Sequence, residues 1–85
     1  MLRMAETKSV VTPIPGVFYR RPSPDQEVYV KEGQHVKAGD TLCLIEVMKN
    51  FYEIKAEFDG ILERFVLENE ALVDAGQEIA IMRIE

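Results

Sequence analysis

Eighty-five residues, 47% of them hydrophobic, have room for one folded core and not for two. Fifteen acidic against ten basic side chains, a net charge of −5, argue against a nucleic-acid partner, which needs clustered Lys and Arg to neutralise phosphates. A single cysteine, Cys43, excludes an internal disulfide and leaves no basis for a cysteine zinc site, and no apolar run approaches membrane-spanning length.

The chain starts MLRMAETKS, without the apolar region of a secretory signal, so a soluble cytoplasmic protein with no membrane partner is expected. Residues 1–9 show no periodicity and read as a flexible leader. Strands are then expected at Val10–Thr12, Gly16–Tyr19, Glu27–Val30, Thr41–Val47, Phe51–Phe58, Gly60–Val66 and Glu78–Ile84. These runs are rich in Val, Ile, Phe and Tyr with approximate period two, as in Ile61, Glu63, Phe65. No segment long enough for a helix holds a 3.6 period without a glycine or a β-branched cluster. The fold class is all-β, a sandwich or barrel.

An internal repeat organises these runs. VKEGQHVKAGDTLCLIE, residues 30–46, aligns with LENEALVDAGQEIAIMR, residues 67–83, at an offset of 37. Val36 falls on Val73, Gly39 on Gly76, Leu42 on Ile79 and Leu44 on Ile81. Upstream, Pro15-Gly16-Val17-Phe18 matches Asp59-Gly60-Ile61-Leu62 at an offset of 44, so the first half carries 44 − 37 = 7 extra residues between Gly16 and Val30. Neither half can close a core alone, so the repeat predicts a pseudo-twofold sandwich. Gly33, Gly39 and Gly76 stand where tight turns call for positive φ. Glu70 occupies the place of Gly33 in the second half, and the neighbouring Asn69 is expected to take that turn.

The segment joining the two halves is IEVMKNFYEIKAEF, with Lys49 in its middle. A reversal there makes Lys49 the tip of a hairpin over about residues 46–52. The local turn chemistry is weak, since Asn50 favours a turn but no glycine or proline is present. An exposed lysine at such a tip is suited to being modified. A catalytic lysine would need a pocket that lowers its pKa, which so small a domain does not offer. Cys43, mid-strand among Leu42, Leu44 and Ile45, reads as a buried inert thiol, and His35 as an exposed turn residue. Glu46 and Glu53 flank the hairpin as a solvated acidic face.

Glu46-Val47-Met48-Lys49 resembles the Glu-Ala-Met-Lys attachment motif of biotinyl domains, the carrier modules of biotin-dependent carboxylases. The resemblance extends over residues 10–85, through PGVFYRRPSPD, EGQHVKAGDTLCLIE and GQEIAIMRIE. It implies a flattened barrel of two four-stranded antiparallel sheets, with biotin joined to Lys49 and Met48 read by a biotin protein ligase. It implies a non-catalytic carrier that takes a carboxyl group from biotin carboxylase to a carboxyltransferase acting on an acyl-CoA. The seven-residue excess, about residues 20–26, resembles the thumb of bacterial acetyl-CoA carboxylase carriers, here Arg21, Pro22, Ser23, Pro24 and Asp25. Two positions depart from the usual pattern: Val47 for Ala, and Asn50 for the Met after the lysine. Two alternatives stay open. Lipoyl domains share the fold, with Asp before their lysine and Ala after it, and an unmodified β-barrel interaction module needs no cofactor.

Overall fold

The computed structural model describes residues 6–84. Eight strands follow in order: β1 Thr7–Val11, β2 Gly16–Tyr19, β3 His35–Val36, β4 Thr41–Val47, β5 Asn50–Lys55, β6 Gly60–Phe65, β7 Leu72–Val73 and β8 Glu78–Ile84. They form two four-stranded sheets, ordered β1-β8-β6-β3 and β5-β4-β2-β7, and every pairing is antiparallel. Exchanging each strand with the one four places along the chain turns the first order into the second. This is the pseudo-twofold expected from the repeat, and each sheet contains strands of both halves.

The hydrogen bonds obey the same exchange. Phe18 N donates to Ala71 O (2.8 Å), and Leu62 N donates to Gln34 O (3.0 Å). Gly76 N donates to Thr12 O (2.6 Å), and Gly39 N to Ala56 O (2.8 Å). The core is built from equivalent pairs too: Phe18 with Leu62, Leu42 with Ile79, and Ile45 with Met82, all at most 1% exposed. Burying each such side chain contributes about 1.5–3 kcal/mol, so the core between the sheets is the main source of stability. Among the described residues Thr12 is the polar one that is buried. Its hydroxyl donates to Ile14 O (2.6 Å) and accepts from Ile14 N (3.2 Å), which avoids the cost of an unpaired buried group.

Several expected elements shift, for identifiable reasons. Thr7, Lys8 and Ser9, expected in the leader, pair with Arg83, Met82 and Ile81 of β8. As residues of an exposed edge strand they carry no apolar period to read. Glu6 of that leader accepts from Ile84 N, and residues 1–5 lie outside the described residues. Glu27–Val30 is not a strand: Tyr29 N closes a loop onto Arg20 O (3.0 Å), and Val30 is buried from that loop. The run Phe51–Phe58 stops pairing at Lys55, after which residues 56–59 cross to the other sheet. Strands β3 and β7 have two residues each, too few to show a period. Finally, Glu70 itself takes the left-handed turn (φ 71°) in place of Asn69. Glu70 N donates to Phe18 O as Gly33 N does to Leu62 O (both 2.6 Å), so the repeat fixes which residue must turn. Asn69 instead accepts a bond from Arg20 N at its side-chain Oδ1 (2.8 Å).

The two ends of the sandwich are distinct. β1 finishes with Val11 opposite Glu78, and residues 12–15 then lead to β2, where Val17 lies opposite Glu46. The β4–β5 turn therefore shares its end of the domain with the start of β8. The other end of β8, where Ile84 N donates to Glu6 O (2.9 Å), is a full strand length away. Among the described residues no helix is long and apolar enough to cross a membrane.

Candidate functional site: the tip of the central hairpin

β4 and β5 pair up to Val47 and Asn50, which leaves Met48 and Lys49 as a two-residue loop. Both have positive φ, 50° and 68°, the signature of a type I′ turn. That turn normally takes Asn-Gly, because an L side chain in this region costs roughly 1–2 kcal/mol per residue. Asn50, expected to help the turn, is instead the first residue of β5. Two disfavoured residues thus hold the tip, and the long strands on either side keep them there. Met48 is 89% exposed, Lys49 is exposed, and no hydrogen bond or ion pair ties Lys49 to another described residue.

Below the turn, Glu46 lies opposite Phe51, and Tyr19 of β2 reaches both. The Tyr19 hydroxyl donates to Glu46 Oε1 (3.0 Å), and its ring meets that of Phe51 with centroids 6.2 Å apart. The bond to Glu46 pushes the Tyr19 hydroxyl above its ordinary pKa, helped by desolvation and by the charges of Glu46 and Glu70. The segment after Tyr19 is an anchored loop. Arg20 lays its guanidinium over the Phe65 ring (4.6 Å), and Gln26 N donates to Ser23 O (3.1 Å). A groove of about 450 Å³ opens between this loop and the hairpin. Tyr19, Phe51, Pro22 and Pro24 give it apolar walls, and Arg21, Ser23, Asn69 and Glu70 add polar groups.

Glu46, Val47, Met48, Lys49 and Asn50 are thus gathered at the tip, and Arg21 to Pro24 face the groove beside it. Asp25 is exposed and does not line the groove. Tyr19, Asn69 and Glu70 were not expected here. They come from other strands and loops, so only the three-dimensional pairing could reveal them.

Cys43 is fully buried, and burial pushes its thiol up to about 12. It is buried in one sheet, while His35 is exposed on a strand of the other. Cys43 will accordingly resist iodoacetamide in the native protein and react once denaturant unfolds it. Because the native pKa is raised, the neutral thiol's contribution to stability is complete below about 9 and declines as pH climbs toward about 12. A thermal midpoint that stays flat over that alkaline range would contradict this. Among the described residues no group of three or more His, Cys, Asp or Glu could hold a metal ion.

Residues 8–82 match the profile of the family described as "Biotin-requiring enzyme". The "Biotin carboxyl carrier protein of acetyl-CoA carboxylase" of Porphyra purpurea is 40% identical over 77 residues, covering 91% of this chain and 48% of the relative. The protein of the same description from Pseudomonas aeruginosa is 41% identical over 70 residues, covering 82% of this chain and 45% of the relative. The chain spans about half the length of these relatives. Among solved structures, the urea carboxylase of Kluyveromyces lactis superposes with a TM-score of 0.75 at 24% identity, covering 96% of this chain and 7% of that one, which is a likeness of fold. With the repeat, the two exchanged sheets and the exposed lysine turn already established, the chain belongs to the biotin-requiring enzyme family.

Proposed function

We propose that Lys49 is the attachment site of biotin and that this domain is the carrier of an acyl-CoA carboxylase, acetyl-CoA being the acceptor its relatives' descriptions favour. The observation that carries this reading is the turn itself. A strained Met48-Lys49 pair, exposed and with no side-chain partner among the described residues, sits at the centre of the repeat on two long strands. Its primary amine can form an amide with the carboxyl of biotin, and Met48 beside it is available to a biotin protein ligase. When bound, biotin supplies a ureido nitrogen that accepts a carboxyl group.

The chain's own residues position that group and do no acid–base chemistry. The groove beside the tip suits a ring with a polar head: Phe51, Tyr19 and the two prolines offer apolar walls. Arg21 lines the groove and brings a guanidinium, a group with donors only, to its wall. This gives the loop through Arg21, Pro22, Ser23 and Pro24 the role of a thumb over the arm. The partners are a biotin carboxylase and a carboxyltransferase, between which the tethered group stays at high effective concentration. A cytoplasmic setting fits the unpaired buried thiol of Cys43.

Incubation with ATP, biotin and a biotin protein ligase, followed by intact-mass measurement and peptide mapping, tests the reading. One biotin on Lys49 is expected. Acceptance of lipoate in its place, or no label where a control carrier is labelled, would overturn it.

A further inference from the structure

The two halves tie the same cross-strand position in different ways. Through the repeat, Tyr19 corresponds to Glu63 and Glu46 to Arg83. In the half that ends at Ile84, these positions form an ion pair, Arg83 Nε to Glu63 Oε1 at 3.3 Å, with both side chains well exposed. Such a pair adds little and is screened by salt. In the half that carries the tip, the tie is a phenol donating to a carboxylate at 3.0 Å, with an aromatic contact added.

That tie has a particular location. Glu46 and Phe51 face each other one step below Val47 and Asn50, the pair that closes the turn. Tyr19 touches Glu46 through its hydroxyl and Phe51 through its ring, so one side chain grips both strands beneath Met48 and Lys49. The turn needs such a grip. Its two residues lie in a region that L side chains leave unless the surroundings hold them. Tyr19 is also the last residue of β2, directly before the loop that forms the groove, so tip and groove share one wall.

We propose that Tyr19 is a positioning residue for modification of Lys49, holding the hairpin in the left-handed turn that presents the lysine to its ligase. This rests on the reading of Lys49 as the modified residue. A tip that leaves the turn for part of the time offers less of the binding-competent form, which raises KM by the inverse of the competent fraction and leaves kcat alone. A phenol already keeps its proton at neutral pH, and the bond to Glu46 shifts its pKa further up, so the donor is present through the neutral range.

Tyr19→Phe removes the hydroxyl and keeps the ring. With the ligase, this variant is expected to show a KM raised about fivefold and an unchanged kcat. Hydrogen exchange at the amides of Val47 and Asn50, the pair that closes the turn, should quicken by at least that factor, while those of Leu62 and Met82 stay as in the parent. Glu46→Gln keeps an acceptor oxygen and is expected to be milder, and Tyr19→Phe with Glu46→Gln should lose no more than Tyr19→Phe alone. A parental KM together with parental exchange at the turn would overturn the proposal. Exchange quickened evenly through the whole domain would overturn it too, by making Tyr19 a general stabiliser. If the parent protein takes up no biotin, the reading of Lys49 fails, and exchange at the turn alone still decides whether Tyr19 holds it.

Discussion

Lys49→Arg will take up no biotin, and its thermal unfolding will match that of the parent protein. A guanidinium is not deprotonated in proteins, so it cannot supply the neutral amine that amide formation needs. The charge and the unbranched stem are kept. The positive φ of 68° is as costly to Arg as to Lys, so the strain of the turn does not change. Residue 49 is exposed and has no partner among the described residues to lose. An exposed change of this kind alters stability by no more than about 0.5 kcal/mol, a few degrees in the midpoint of so small a domain. Labelling by the ligase and circular-dichroism melting check both halves of the expectation. Label retained by the variant would move the site to another lysine, and a lowered melting point would mean that Lys49 supports the fold.

Gly60→Ala will cost far more stability than Gly39→Ala. A Cβ at Gly60 would stand 2.3 Å from the carbonyl oxygen of Arg83, and one at Gly16, its equivalent, 2.4 Å from that of Glu46. Both obstacles are backbone of the neighbouring strand, which cannot rotate away as a side chain can. β6 and β8 must part where Gly60 faces Ile84. The expected loss is on the order of 3 kcal/mol, at the upper end for overpacking. Set against a total of about 5–15 kcal/mol for a small domain, that is a large fraction. A Cβ at Gly39 would meet open space, so Gly39→Ala bears only the strain of φ 96°, about 1 kcal/mol. Urea unfolding of the two variants measures the difference. Equal losses would show that the close approach of β6 and β8 is not what requires glycine there.

The two offsets, 37 and 44, already contained the architecture, because they matched residues that turned out to be equivalent core positions such as Leu42 with Ile79. The place of Lys49 at a hairpin tip was legible for the same reason: it lay between the halves. Elements without a buried face were not. Thr7–Ser9 is polar edge strand, and β3 and β7 are too short for any pattern to show. Val30 misled in the opposite sense, since an alternation can arise from a loop that buries one side. The type I′ turn was hidden because its residues are the wrong ones for it locally. Such a conflict between propensity and conformation is expected where function selects the residues. The groove needed the fold itself, since Tyr19 and Phe51 meet only once β2 lies beside β4 and β4 beside β5.

The pseudo-twofold that carries one half onto the other also carries the β4–β5 turn onto the meeting of Glu6 and Ile84. There the amide of Ile84 bonds to the carbonyl of Glu6, the counterpart of Val47 beside Asn50. The path into the domain and the path out of it are therefore a single doorway, placed at the pole away from the lysine. A cassette with that geometry can be spliced into a surface loop of a larger polypeptide without spreading the host's own chain apart. The same doorway is the pivot. Whatever host or tether holds it, the lysine is kept at the outer end of the lever, where small rotations at the join become long excursions of the tip.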